Sequence, residues 1–318
     1  MSLSTPVAFI IFNRPDTTER VFEAIRQAKP LKLLVVADGP RLDRSDEVEK
    51  CTATRAIIDR VDWECEVITN YSDLNLGCKR RVSSGIDWVF SQVEEAIILE
   101  DDCLPALSFF QFCQTMLDRY RYDDRISMIG GSNYQQKHSR TSDSYFFTKY
   151  AHIWGWATWR RAWKDYDVQM KTWPECKQRD LLQAAFHDRY EQKAWVDAFD
   201  KVHAGKIDTW DYQWLYTCFS QSRLSIEPDL NLVSNIGFGA EATHTFGDSP
   251  WANLPTQDIW EIEHPPIVTR NVEADFYTFN HHYGGNNMRQ QDRLIPRIKN
   301  HLRPLKQLIP ALSLVKTQ

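Results

Sequence analysis

The chain has 318 residues, enough for one large α/β domain or two smaller ones. Its 38 basic and 43 acidic residues leave a net charge of −5, which argues against a protein built to coat nucleic acid. The longest apolar run, 7–12, is too short to cross a bilayer, and no secretion signal is recognisable. Seven cysteines without a C-x-x-C pair favour reduced thiols. Together these features predict a cytoplasmic protein.

Apolar segments alternate with amphipathic ones over the first 130 residues. Apolar runs joined by helical patterns are typical of a parallel sheet covered by helices on both faces. The predicted elements, in chain order, are a strand at 7–12, a helix capped near 16, a strand at 33–37, a helix at 45–60, a strand at 66–69, a helix at 77–90, a strand at 96–99, a helix at 107–120 and a strand at 126–129. In such sheets, ligands bind beyond the carboxyl ends of the strands.

The second part of the chain is rich in tryptophan. Tryptophan and glycine both occur twelve times, and eight of the tryptophans lie between positions 154 and 214. The patterns here predict helices at 156–166, 188–203 and 209–221, a β-rich stretch at 224–233 and a glycine-bearing loop at 235–244. Because no repeat or low-complexity linker interrupts the chain, one continuous domain is predicted.

Three consecutive acids, Glu100, Asp101 and Asp102, follow the predicted fourth strand. Acids at the exit of a buried strand repel each other unless a cation lies among them. Hard carboxylate oxygens suit Mg²⁺ or Mn²⁺, which are commonly held by a few carboxylates together with phosphate oxygens. A solvated acidic turn is the alternative, but the position at a strand end favours the metal site.

Asp211 lies in an indole-rich segment between Trp210 and Tyr212. A carboxylate walled by indoles is partly desolvated, and the resulting rise in pKa makes it a better proton acceptor near neutral pH. The alternative is that an aspartate merely caps the helix that begins here, and we expect Asp208 to do so. Asp211 is therefore the candidate general base.

Two tryptophans, Trp154 and Trp156, flank Gly155, where another group can approach closely. Flat indole faces suit the apolar faces of a sugar ring, although aromatic residues of this kind also fill protein cores. His244 follows the glycine-bearing loop and is a candidate metal ligand, with the pair His281-His282 as its rival. A lone histidine is more often structural than a ligand, so both alternatives remain open.

The order of these features resembles the GT-A class of nucleotide-sugar glycosyltransferases, in particular the large bacterial family that includes polysaccharide-assembling enzymes. The resemblance covers residues 6–245 and implies a Rossmann-like α/β fold with a mostly parallel sheet flanked by helices. In that class the end of the first strand and an aspartate ending the second hold the nucleoside. These positions match Phe12, Asn13, Arg14 and Asp38.

The acidic D-x-D-type motif of the class matches Glu100–Asp102. The resemblance implies that Asp102 binds the metal and that Asp101 binds the ribose. A later histidine is a metal ligand in many members, and His244 is its counterpart here. The E-D-D sequence of this motif is similar to the motif of a subset of inverting N-acetylhexosamine transferases.

Two further segments match the sugar-binding part of the family. A segment of the form G-x-x-x-x-R-R lines the sugar site and matches Gly155 to Arg161. The family's E-D pair at a helix start supplies the catalytic base, and Asp211 occupies its second position with Trp210 in place of the glutamate. The resemblance thus implies that the base lies beside indoles that hold the sugar or the acceptor.

The family's N-x-G-x-x-x-A-R-N-x-G segment appears here at positions 75–85. Val82 occupies the place of its arginine. Either Arg80 or Arg81 is then expected to take the nucleotide-binding role.

The resemblance implies a metal-dependent, inverting transferase that moves a hexosyl or N-acetylhexosaminyl group from a UDP-sugar to a glycan or a lipid-linked hydroxyl. The domain at 1–288 would then have a nucleotide-binding half at about 1–130. A helical, tryptophan-rich acceptor half would occupy about 131–288. The alternatives are a sugar-1-phosphate nucleotidyltransferase and a non-catalytic carbohydrate-binding scaffold.

The last segment, 289–318, has seven basic residues and a single acid. Its apolar residues recur at helical spacing, but prolines at 296, 304 and 310 divide it into short helices. One interpretation is peripheral docking to the anionic inner face of a membrane, where lipid-linked acceptors are found. The other is a helix that packs on the body or on a partner subunit.

Overall fold

A computed structural model of the chain describes residues 2–136, 138–186, 188–238 and 249–292. The strands are β1 (Val7–Ile11), β2 (Lys32–Ala37), β3 (Glu66–Tyr71), β4 (Glu95–Glu100), β5 (Cys103–Pro105), β6 (Ile126–Gly130), β7 (Tyr145–Thr148), β8 (Trp156–Trp159), β9 (Leu224–Pro228) and β10 (Val233–Asn235). The α-helices are α1 (Pro15–Ala28), α2 (Glu47–Ala56), α3 (Gly77–Gln92), α4 (Leu107–Arg119), α5 (Arg160–Trp163), α6 (Trp173–Gln178), α7 (Arg189–His203), α8 (Asp211–Ser220) and α9 (Val272–His281).

Eight of the strands form one sheet in the order β3-β2-β1-β4-β8-β6-β9-β7. Strands β1, β2, β3, β4, β6 and β9 share one direction, whereas β8 and β7 run against their neighbours. The prediction of a mixed α/β fold with a mainly parallel sheet flanked by helices is confirmed. Strands from both predicted halves of the chain belong to this sheet, because β8 lies between β4 and β6.

The register of the central strands brings three polar connections together. Ile10 of β1 lies opposite Glu100 of β4, and Ile11 lies opposite Ala37 of β2. The residues that follow each strand therefore leave the same edge of the sheet side by side. This edge places Phe12, Asp38 and the acids after β4 in one neighbourhood.

Both faces of the sheet are buried. Along β1, Phe9 belongs to the apolar core beneath α1 and α4, whereas Ile10 belongs to the core beneath α3, α7 and α8. Because every strand residue of β1 is covered, this strand is a continuous apolar run rather than an alternating one. Six tryptophans fill the second core, at positions 156, 163, 173, 195, 210 and 214.

The predicted helix at 156–166 is wrong in its first half. Residues 156–159 form β8, which pairs antiparallel with both β4 and β6, and the helix α5 that follows has four residues. Trp159 and Trp163, spaced like neighbours on a helix, instead lie in the cores on opposite faces of the sheet. A four-residue apolar run is ambiguous by its pattern, and sheet pairing decides it.

The predicted basic segment at 289–318 lies outside the described residues from 293 onward. At its start, the Arg289 guanidinium donates to the Asp188 carboxylate and, at 3.0 Å, to the Asn280 side chain. Asp292 accepts a hydrogen bond of 2.7 Å from the Tyr190 hydroxyl. Among the helices that the structure describes, none combines the length and apolar character needed to span a bilayer. Membrane docking of this segment stays a prediction.

Candidate functional site

A cavity of about 480 Å³ opens at the carboxyl ends of β1, β2 and β4. Its lining is strongly charged, with two indoles at one side. The acids that line it are Asp38, Glu100, Asp101, Asp102, Asp208 and Asp211, the arginines are Arg14, Arg41 and Arg81, and the indoles are Trp154 and Trp210. Apart from Asn13, the polar residues predicted at the strand ends thus meet in one concave site.

The acids after β4 are crowded and poorly hydrated. Burial, together with repulsion from Asp102 and its neighbours, raises the pKa of Glu100 to about 8 and that of Asp101 to about 7. One Asp101 oxygen accepts a hydrogen bond of 3.0 Å from the backbone N–H of Phe12, which opposes part of that rise. The cluster consequently favours a positive charge among its oxygens.

Arg14 supplies such a charge from the start of α1. Its Nη1 lies 2.6 Å from Asp102 Oδ2 and 3.6 Å from Asp101 Oδ1. The side chains of Arg14 and Asp102 are 17% and 16% exposed, so both remain open to the cavity. The predicted nucleotide-binding and metal-binding residues are therefore in contact with each other.

The donor set suits a divalent cation that is shared with a substrate. Among the described residues, no group of three histidine, cysteine or acidic side chains is arranged to enclose a metal. Mg²⁺ and Mn²⁺ nevertheless need only one or two carboxylates when phosphate oxygens complete the shell. Asp102 offers such oxygens at the cavity wall. The site thus fits a cation held jointly with a phosphorylated ligand. The second predicted ligand, His244, lies outside the described residues.

Asp38 joins the end of β2 to the start of α3. Its two oxygens accept four hydrogen bonds of 2.9–3.1 Å, from the backbone N–H groups of Gly39, Leu76 and Gly77 and from the Asn75 amide. Burial nonetheless raises its pKa, because desolvation outweighs those donors. With four donors already engaged, Asp38 fixes the wall of the predicted nucleoside pocket.

The residues after β1 divide between two environments. Phe12 lines the cavity, and the guanidinium of Arg41 lies over its ring at 5.6 Å from the centroid. Asn13 does not line the cavity, and its amide donates to Glu47 Oε1 at 3.1 Å. Glu47, buried in the first turn of α2, also accepts a 2.9 Å hydrogen bond from the Arg41 backbone N–H. Asn13 therefore supports the cavity wall from behind.

The alternative between Arg80 and Arg81 is decided by position. Arg81 lines the cavity and donates to the carbonyl oxygen of Ala37 at 3.1 Å, whereas Arg80 is exposed and does not line it. The expectation that Arg80 binds the nucleotide is therefore wrong, because its side chain lies outside the cavity. Successive residues of an α-helix point about 100° apart around its axis, so only one of Arg80 and Arg81 faces the sheet.

Asp211 is the first residue of α8, where the helix dipole favours a negative charge. The Thr209 hydroxyl donates to its carboxylate, and its charge contributes to the raised pKa of Glu100. Asp208 does not cap α8 as expected: Trp210 is the N-cap residue, without a capping side-chain hydrogen bond, and Asp208 lies exposed at the cavity. Asp211 thus faces the acids after β4 across one cavity.

The indoles predicted for the sugar site separate. Trp154 lines the cavity, whereas Trp156 is fully buried and stacks on Trp210 with ring centroids 5.8 Å apart. The expectation that Trp156 contacts sugar is wrong because β8 turns it into the core. The close approach predicted at Gly155 is made by Val233, whose Cγ2 would lie 2.7 Å from an added Cβ. Trp210 is 2% exposed and borders the cavity.

The arginines of the G-x-x-x-x-R-R match lie away from the cavity. Since β8 runs antiparallel to β4, Trp159 lies opposite Glu95, at the end of β4 remote from the acids. Arg161 there donates to the carbonyl oxygens of Tyr120, Arg121 and Ile126 at 2.7–2.9 Å. The expectation that this segment lines the sugar site is therefore wrong, because the cavity is lined by Trp154, which precedes the segment, and by none of residues 155–161.

An aromatic cluster that the sequence did not indicate lies behind Trp154. The Tyr134 ring is its centre, 4.3 Å from the His152 ring, 4.2 Å from His282 and 5.2 Å from Trp251. Burial lowers the pKa of His282 to about 4 and that of His152 well below 6.5, so both rings are neutral. His282, the rival metal ligand, is therefore a packing residue next to the indole wall. The local sequence around His282 could not predict these contacts, because their partners lie far away along the chain.

A buried acid, Glu227, lies beside this Tyr134 cluster. Its Oε2 is 3.5 Å from His152 Nε2, and neither atom has a hydrogen-bond partner among the described residues. Its Oε1 accepts a 3.3 Å hydrogen bond from the Tyr134 backbone N–H. Burial raises the pKa of Glu227 from 4.5 to about 8, so the folded protein holds this proton at neutral pH.

We expect Glu227→Gln to remove a pH dependence of stability. Between about pH 4.5 and 8 the folded state keeps a proton that the unfolded state releases, so this group makes stability fall as pH rises through that window. The limit for one proton is about 1.4 kcal/mol per pH unit. The two histidines act with the opposite sign, but only below about pH 6.5. Urea unfolding of the wild type and of Glu227→Gln from pH 6.5 to 8 measures how the free energy of unfolding of each protein depends on pH. If the free energy of unfolding changed with pH equally in the two proteins, Glu227 would not hold this proton in the folded state.

Comparisons with known proteins leave the family open. No protein-family model matches the chain, and no curated protein is significantly similar to it. Among solved structures, the chain is similar to a UDP-glucose pyrophosphorylase complexed with UDP-glucose, at 9% identity and a TM-score of 0.27. The match covers 46% of this chain and 62% of that enzyme, which is less than two thirds of its length. At this TM-score the likeness has no bearing on activity, so function is inferred from the cavity.

Proposed function

We propose that the chain is a glycosyltransferase that transfers a sugar from a UDP-sugar to a hydroxyl acceptor with inversion. The observation that supports it best is the pairing of two carboxylate groups across one cavity. Asp211 lies at the start of α8, and Asp101 and Asp102 lie at the end of β4. Asp211 would act on the acceptor hydroxyl, and Asp102 would hold a cation together with the diphosphate.

The donor would lie between the ends of β1, β2 and β4. Phe12 and Arg41, whose guanidinium lies over the Phe12 ring, would contact the base, and Asp101 would accept hydrogen bonds from the ribose hydroxyls. Arg14 offers a guanidinium group, which matches the geometry of phosphate oxygens. Arg81 lines the same cavity, but its guanidinium already donates to the backbone carbonyl oxygens of Ala37 and Asn70. These residues would bind and orient the nucleoside diphosphate.

Asp102 would hold Mn²⁺ or Mg²⁺ together with the diphosphate. When bound, the cation neutralises the charge that develops on the diphosphate as it leaves. Arg14, which contacts Asp102, would act on the same leaving group.

Asp211 would accept the proton of the acceptor hydroxyl. The acceptor oxygen then attacks the anomeric carbon from the face opposite the diphosphate, which inverts the configuration. Trp154 would position one of the two sugars by stacking, with Trp210 beside it in the cavity lining. The acceptor is a glycan or a lipid-linked hydroxyl.

The proposal predicts a selective thermal shift. Ligands that bind the native state raise its melting temperature, and at equal concentration the tighter ligand raises it more. In a panel of nucleotide-sugars with Mn²⁺, we expect a UDP-sugar to raise the melting temperature by several degrees in the wild type and by much less in Asp102→Ala. Equal shifts in both proteins would contradict the metal site at Asp102.

The same protein sample tests the two alternatives. Slow Mn²⁺-dependent hydrolysis of a UDP-sugar without acceptor supports a transferase, since a carbohydrate-binding scaffold would release no UDP. Incubation with UTP and a sugar 1-phosphate would release pyrophosphate if the protein were a nucleotidyltransferase. Between β1 and α1 the chain has three residues, Phe12, Asn13 and Arg14, without glycine. The glycine-rich basic loop expected of that class is therefore not formed at this turn.

A further inference from the structure

Arg14 holds the acids after β4 in a fixed arrangement. Its backbone is anchored at the start of α1, where its carbonyl oxygen accepts hydrogen bonds from the Thr18 hydroxyl at 2.7 Å and the Thr18 N–H at 3.0 Å. From there its guanidinium contacts Asp102 Oδ2 at 2.6 Å. One carboxylate oxygen of the proposed metal ligand is thus already engaged by a cationic side chain.

Asp102 has little freedom to move away from Arg14. Gly237 packs against it so closely that an added Cβ would lie 2.1 Å from Asp102 Oδ2. The Asp102 carbonyl oxygen also accepts a 2.8 Å hydrogen bond from the Ile236 N–H. Because the Asp102 backbone is hydrogen-bonded and its short side chain is packed against Gly237, the long side chain of Arg14 is the part of this pair with more freedom to move.

We propose that Arg14 makes binding of a divalent cation at Asp102 depend on the nucleotide. Without nucleotide, the guanidinium competes with the cation for Asp102 Oδ2. A nucleoside diphosphate draws the guanidinium onto its phosphate oxygens and frees that carboxylate oxygen. This inference rests on the proposed function in taking a nucleoside diphosphate as the ligand. It adds that Arg14 is a positioning residue that sets the order of binding.

The coupling is reciprocal, so it is measurable from either ligand. In Arg14→Gln we expect Mn²⁺ to bind at least fivefold more tightly without nucleotide. UDP should bind more weakly without metal, because its guanidinium partner is gone. The factor by which UDP increases Mn²⁺ affinity should accordingly be smaller in the variant than in the wild type.

The experiment is a titration of free Mn²⁺ by electron paramagnetic resonance, with and without UDP. Arg41→Gln is the matched control, because Arg41 lines the same cavity but is paired with Glu47. The double variant Arg14→Gln/Asp102→Asn identifies the binding site, and we expect it to lose the gain of the single variant. Thermal unfolding of each protein verifies that it is folded.

Three results would overturn the inference. These are unchanged or weaker Mn²⁺ binding in Arg14→Gln without UDP, an equal gain in Arg41→Gln, and a gain that survives in the double variant. None of these measurements requires turnover. A protein that fails to transfer sugar yet shows the Arg14-specific gain would contradict the proposed function and leave the nucleotide-gated cation site supported.

Discussion

Asp211→Asn is expected to lower sugar transfer by about 10²–10⁴-fold, the range typical of losing a general base. Asparagine has nearly the shape of aspartate but cannot accept the acceptor proton. Asp211 lies at the start of α8, and Asp101 and Asp102 follow β4 on the donor side. The affinity for UDP with Mn²⁺ should therefore change no more than a few-fold. Initial rates at saturating donor, together with calorimetric titration of UDP, measure the two effects separately.

The matched comparison is Asp208→Asn, which removes the same charge from the same cavity. Asp208 is exposed and precedes α8 by three residues. We expect this variant to lose less than tenfold in rate. Normal turnover in Asp211→Asn, or equal losses in both variants, would show that Asp211 contributes only to the electrostatic field of the cavity.

The donor side of the site could be predicted because local sequence determines it. Each central strand is a short apolar run, and each polar candidate follows its strand directly, as Asp38 follows β2. In a parallel sheet, such positions converge whatever the order of the strands. The structure accordingly brings Phe12, Arg14 and Asp102 to one cavity.

The acceptor side depends on pairing that the sequence does not encode locally. Trp156 and Arg161 could both contact the sugar only if the segment that contains them ran along the cavity. Strand β8 instead runs antiparallel beside β4, which buries Trp156 and carries Arg161 to the far end of the sheet. The Tyr134 cluster was likewise unpredictable, since it joins positions more than 100 residues apart, such as Tyr134 and His282.

The same pairing explains the abundance of tryptophan. Four indoles, at positions 156, 163, 210 and 214, are in mutual contact beneath the sheet, with centroid separations of 5.2–6.4 Å. Trp210 connects this core to the cavity, because it stacks on Trp156 and borders the site beside Asp211. The indole core therefore also fixes the N-terminus of α8, where the proposed base lies.

Trp156→Ala should mainly lower stability, whereas Trp154→Ala should mainly affect activity. Trp156 is fully buried, so its truncation leaves a large cavity and should cost about 3–5 kcal/mol of unfolding free energy. Trp154 is only partly buried at the cavity wall, and its truncation should cost about 1–2 kcal/mol. The main effect of Trp154→Ala should instead be a higher KM for donor or acceptor. Urea unfolding and initial-rate kinetics on the same preparations measure both quantities.

Trp156→Phe separates loss of packing from loss of a sugar contact. The indole N–H of Trp156 has no hydrogen-bond partner among the described residues, so phenylalanine removes an unsatisfied donor while keeping an aromatic ring. We expect this variant to recover more than half of the stability lost in Trp156→Ala and to keep the wild-type KM. A raised KM with unchanged stability would mean that Trp156 reaches the ligand. In that case the packing of β8 between β4 and β6 would have to open during catalysis.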